Sequence, residues 1–127
     1  MSALKIATTT RTNADGRTEL TLALEGSLDN STVAQLEARL AAFLETPVAR
    51  VIFDLAALKY VTSAGLRVFV ATARKQKQAG GRTTFIHLQP QIREVFEIMG
   101  SLPDMQVFES QAELDAYLLA RQNAHEG

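Results

Sequence analysis

The chain has 127 residues, 46% of them apolar and 21% charged, with 13 basic and 14 acidic side chains for a net charge of −1. That suits one globular domain with its own core, and it lacks the basic excess that nucleic-acid binding shows, so no direct DNA binding is expected. The absence of cysteine excludes disulfides, a cysteine nucleophile and thiolate metal ligands.

Ala3 to Ala7 reads as a short strand, and Arg11 to Arg17, with Asn13, Asp15 and Gly16, as a turn. Leu20, Leu22 and Leu24 alternate with Thr21 and Ala23, the period of a strand with one buried face. The two segments are expected to form a hairpin. Gly26, Asp29 and Asn30 should break the second strand, and Asn30 to Thr32 supply cap residues for a first helix. That helix carries Val33, Leu36, Leu40, Phe43 and Leu44 on one face and stops at Pro47. Val51, Ile52 and Phe53 form an apolar run ending in Asp54, as in a central strand buried on both faces.

Ala57 to Thr62 is expected to be a loop leading to a second helix. There Leu66, Phe69, Val70 and Ala73 form the apolar stripe, with Arg67, Arg74, Lys75 and Gln78 opposite. Gly80 and Gly81 end it. Thr83 to Leu88 reads as a strand, and Pro90 opens a third helix through Ile92, Val95, Phe96 and Met99, ended by Gly100. Met105 to Phe108 is a last strand. Ser110 and Glu113 form a capping box for a terminal helix packed through Leu114, Tyr117 and Leu118, and the tail from about 122 should fray. The order ββαβαβαβα implies an α/β fold: a mixed sheet, an N-terminal hairpin then parallel strands, covered by about four helices in a single domain over 1–127.

Met1 to Thr10 has no long apolar core behind a basic start, so no signal peptide is expected. No stretch reaches the roughly 20 apolar residues of a membrane span, so no membrane insertion is expected and a cytoplasmic location is.

Groups that could do chemistry are few. His87 falls in a strand and reads as structural, and His125 lies in the tail, so no metal or cofactor is expected. Gly-rich phosphate cradles are absent. Val61-Thr62-Ser63-Ala64-Gly65 is half of a nucleophile elbow, without the glycine two residues before the serine. An enzyme is therefore not expected. The basic face Arg67, Arg74 and Lys75 is either a solvated helix face or a docking surface for an acidic partner. Ser63 could simply cap its helix. Gly26 reads as a structural glycine, and Gly65 stays open between a tight turn and close partner approach.

The segment Val51 to Leu66, VIFDLAALKYVTSAGL, resembles the STAS-domain signature, and Glu25-Gly26-Ser27-Leu28-Asp29 resembles the family's second landmark before its first helix. The resemblance covers essentially the whole chain and points to the bacterial anti-sigma-factor antagonists. It implies a partner that is an anti-sigma factor and also a serine kinase of the HATPase type; binding it releases a sigma factor. It implies phosphorylation of the serine that starts the second helix, here Ser63, which dissociates the complex until a serine phosphatase reverses it. Many relatives have Asp-Ser where this chain has Thr62-Ser63, which makes Thr62 a secondary acceptor candidate. The implied partner-binding residues are Thr62, Ser63, Ala64, Gly65, Arg67 and Arg74. STAS domains also occur as unphosphorylated accessory subunits of lipid transporters and as modules sensing a small ligand or nucleotide, and both remain open alternatives.

Overall fold

A computed structural model describes residues 3–98 and 105–108, with 112–113, 115–116 and 119–120 beyond them. β1 (Leu4–Thr12) and β2 (Thr18–Leu28) pair antiparallel, with Ile6 opposite Leu24 and Thr10 opposite Leu20. Their turn is held by the Asn13 carboxamide, whose Oδ1 accepts from the N–H groups of Asp15 and Arg17 at 3.0 Å. Gly16 completes it at φ +76°, a conformation that favours glycine. β1 is longer than the sequence suggests because Thr8 to Thr12 keep pairing with β2.

The chain continues through α1 (Val33–Phe43), β3 (Arg50–Val61), α2 (Ser63–Gln78), β4 (Arg82–Ile86), α3 (Pro90–Ile98) and β5 (Met105–Phe108). Among the described residues the strands form one sheet in the order β1-β2-β3-β4-β5, parallel from β2 onward. The hairpin-plus-parallel arrangement read from the sequence is what the structure shows. Of the terminal helix, Ala112, Glu113, Asp115, Ala116, Leu119 and Ala120 are helical. Ser110, Leu114, Tyr117, Leu118, the tail from about 122, Met99 and Gly100 lie outside the described residues.

One face of the sheet carries the core. Leu20, Leu22 and Leu24 of β2, Val51, Phe53 and Leu55 of β3, and Phe85 of β4 meet Leu36 and Leu40 of α1, Leu66 and Phe69 of α2, and Ile92 and Phe96 of α3. Phe53 stacks on Phe85 at a centroid distance of 5.2 Å, and Phe69 meets both at 4.8 and 5.0 Å. Each such pair adds about 0.5–1.5 kcal/mol beyond area burial. Side chains alternate across a strand, so Ile52, Thr84 and Ile86 are buried on the opposite face. There the buried Glu19 lies 3.9 Å from the buried Arg50, whose guanidinium also donates to the Thr84 hydroxyl. Arg11 donates to Glu19 at 2.9 Å and pairs with Asp115 at 3.4 Å. The bond to Glu19 holds the Arg11 guanidinium above its ordinary pKa, and the pair with Asp115 ties the hairpin to the C-terminal helix.

Besides the longer β1, four boundaries differ from the sequence reading. Gly26 does not break β2; it sits inside it at φ +106°, and a Cβ there would run into the Ala3 carbonyl. α1 stops at Phe43, before Pro47. β4 ends at Ile86, because His87 turns out of the strand at φ +60°. The largest difference is Ala57 to Thr62: all but Thr62 belong to β3, which pairs with β2 as far as Leu28↔Val61.

Candidate functional site

The second half of β3 builds the platform. From Asp54 to Val61 it runs beside Ala23 to Leu28, eight residues against six, with irregularities between Ala23/Glu25 and between Gly26/Ser27. Each leaves one extra residue on β3, as in a β-bulge. Burial then falls at Leu55, Leu58 and Val61 rather than at every second residue. Pairing with β4 ends at Asp54↔Ile86, so the rest of β3 overhangs it. Gln89 donates to the Ala56 carbonyl at 2.6 Å and Gln91 to that of Lys59 at 3.3 Å, which ties the overhang to the start of α3.

α2 opens where β3 stops. Thr62 is extended (φ −99°, ψ 174°), its N–H donates to the Leu28 carbonyl at 3.0 Å, and its Oγ1 accepts from the Gly65 N–H at 3.4 Å. Thr62 is therefore the N-cap, and Ser63 is the first helical residue. The capping role open to Ser63 in the sequence belongs to its neighbour. Ser63 is exposed, and its side chain has no hydrogen bond among the described residues.

Gly65 settles on a structural role. A Cβ there would lie 2.8 Å from Leu28 Cγ and 2.9 Å from Val61 Cγ2, so the missing side chain lets α2 seat directly on the strand ends. Ala64 is half-buried beside it. Arg67 and Arg74 are both exposed, as are Lys75 and Gln78. At 3.6 residues per turn, Ser63, Arg67 and Arg74 fall within about 40° of one another, forming one stripe along the helix. No acidic residue occurs in α2, and the side chains of Arg67, Arg74 and Lys75 make no ion pair among the described residues. A helix N-terminus with free N–H groups favours negative charge, and so does the first turn of α2.

The structure brings together all the residues singled out from Thr62 to Arg74. It leaves Asp54 and His87 apart from them. His87 Nδ1 lies 2.9 Å from Asp54 Oδ1, which also accepts from the Ala56 N–H at 3.1 Å. The pair joins the end of β4 to the first irregularity of β3, and Asp54 lies inside β3 rather than at its end. Among the described residues no cluster of three or more His, Cys, Asp or Glu could hold a metal ion, and no helix is long and apolar enough to cross a membrane. The sequence reading misses Tyr60, which is 57% exposed at the tip of β3; no period marks it, because the bulges set its direction.

The family model of the STAS domain matches residues 5–114. A protein of Bordetella bronchiseptica named as an anti-sigma factor antagonist, BtrV, is 43% identical over 79 residues, covering 62% of this chain and 68% of that one. An anti-sigma F factor antagonist of Lysinibacillus sphaericus is 30% identical over 90 residues, 70% of this chain and 77% of the relative. The anti-sigma factor antagonist SpoIIAA of Bacillus, solved in its unphosphorylated form, shares the fold with a TM-score of 0.69 at 24% identity, over 91% of this chain and 96% of SpoIIAA.

Proposed function

The chain belongs to the STAS domain family, and on that footing we propose that it is an anti-sigma factor antagonist acting as a single STAS unit. Its relatives in Bordetella and Lysinibacillus carry that function in their names. In this reading it is a ligand and a substrate rather than a catalyst. It binds an anti-sigma factor that is also a HATPase-type serine kinase, through Thr62 to Ala64 and the Arg67–Arg74 stripe, with the buried Gly65 seating the helix behind them, and so frees a sigma factor in the cytoplasm.

The kinase then switches it off at Ser63. The Ser63 Oγ–phosphorus bond forms as the bond from the γ-phosphorus of ATP to ADP breaks, and the hydroxyl proton passes to the kinase. A serine phosphatase hydrolyses the ester and restores the hydroxyl. The observation that carries the choice of Ser63 is its exposed hydroxyl, without a hydrogen bond among the described residues, beside a Thr62 hydroxyl already engaged as the cap.

Incubation with the kinase and ATP, followed by mass-spectrometric mapping, tests this. Phosphate on Ser63, and a Ser63→Ala variant that binds but resists modification, are the expected results. Phosphate on Thr62 alone moves the switch by one residue. No phosphate on either, from a kinase active on another substrate, refutes the switch.

A further inference from the structure

We propose that Tyr60 is the apolar anchor by which this chain docks on its anti-sigma factor kinase, an inference that rests on the function proposed above. The second bulge in β3 sets the direction of this ring. Leu58 pairs with Gly26 and Tyr60 with the next residue, Ser27, so Lys59 is the extra residue. Strict alternation from the buried Leu58 would turn Tyr60 into the core. The insertion reverses this: Lys59 and Tyr60 are both exposed, and Val61 takes the core position. Bulges re-aim side chains in this way and are over-represented at sheet edges and beside functional sites.

Tyr60, so presented, is 57% exposed. A lone exposed apolar residue would need no explanation, but Tyr60 is not isolated from the site. Ser63 lies three positions further along, at most about 11 Å of chain. Neither Lys59 nor Arg67 makes a side-chain ion pair among the described residues. Tyr and Arg are among the residue types most enriched at interface hot spots, seated in pockets and ringed by weaker contacts.

Charge selects the occupant. With Lys59, Arg67, Arg74 and Lys75 exposed and α2 free of acids, the complementary surface is an acidic rim around an apolar pocket. We assign that surface to the kinase. It must approach the first turn of α2 to reach the Ser63 hydroxyl, and the exposed Tyr60 lies three positions before that serine.

Titration of the purified HATPase-type kinase against the full chain and its Tyr60 variants tests the assignment. Tyr60→Ala should weaken binding by about tenfold or more and raise the kinase's KM for this chain, with an unchanged thermal midpoint. Tyr60→Phe, which keeps the ring, should retain most of the affinity. With 3-fluorotyrosine in the wild-type chain, which has two tyrosines, the Tyr60 resonance should shift on binding. Kinase binding by the wild type that Tyr60→Ala leaves unchanged, or a Tyr60 resonance that does not respond, overturns the anchor and leaves the function standing. Failure of the wild type to bind any such kinase overturns both.

Discussion

Gly65→Ala sets two effects of opposite sign against each other. In a helix interior alanine is favoured over glycine by about 1 kcal/mol, and Gly65 lies in the first turn of α2, where the gain is smaller. Against this stands the seat of the helix. The new methyl would lie 2.8 Å from Leu28 Cγ and 2.9 Å from Val61 Cγ2, whereas carbon atoms rest about 3.5–4.0 Å apart. Leu28 is fully buried and Val61 is 5% exposed, so neither can swing into solvent. The contact opens only if the start of α2 lifts by about 1 Å, and overpacking of this kind costs about 1–3 kcal/mol.

The steric cost therefore wins, with a net loss of about 1–2 kcal/mol and a fall in melting temperature of about 4–8 °C. Lifting the turn also lengthens the Gly65 N–H to Thr62 Oγ1 bond, already 3.4 Å. Urea unfolding should show a lower midpoint at unchanged slope, with amide shifts confined to Leu28 and Val61 to Leu66. A variant as stable as the parent, or more so, would refute the claim that close packing demands glycine here.

Two further outcomes are expected from the same structure. Phe53→Ala removes a fully buried ring packed against Phe69 and Phe85 and should cost about 3–5 kcal/mol by denaturant unfolding; a loss under about 1 kcal/mol would show that the aromatic cluster relaxes to fill the space. The chain phosphorylated on Ser63 should melt no lower than the unmodified chain, because an anion in the first helical turn gains about 0.3–1 kcal/mol; a clear drop in calorimetry would contradict this.

What can be read from the sequence depends on whether a segment keeps its period. Leu20, Leu22 and Leu24 alternate without interruption, and all three are buried in β2. The α2 stripe is equally legible: Leu66, Phe69 and Ala73 are buried and Val70 is partly so. The second half of β3 is illegible because its buried residues Leu55, Leu58 and Val61 recur at every third position, which fits neither a strand nor a helix. Only the pairing to β2 shows that two extra residues absorb the mismatch. The cap is ambiguous for a different reason, since Thr62 and Ser63 are both good cap residues. The extended backbone of Thr62, and not its identity, decides between them. The end of β4 is hidden because the bond from His87 to Asp54, 33 residues away, holds the chain where it turns out of the strand.

The division of labour between Thr62 and Ser63 explains how a modification here can change binding without changing the fold. Thr62 holds the helix start, Gly65 seats it on Leu28 and Val61, and neither contact uses the Ser63 hydroxyl. A phosphate on Ser63 therefore breaks no bond that supports the core, and it enters a field that favours it. Its effect falls on the stripe outside. Arg67 and Arg74 give that stripe two positive charges, and a phosphate carrying about −1.5 to −2 brings the sum close to zero. The acidic partner proposed above would then lose the attraction of this stripe, and it would have to desolvate a dianion wherever the interface closes over Ser63. Both penalties act on association alone. They can be large because the scaffold, anchored by Thr62 and Gly65, does not yield to relieve them.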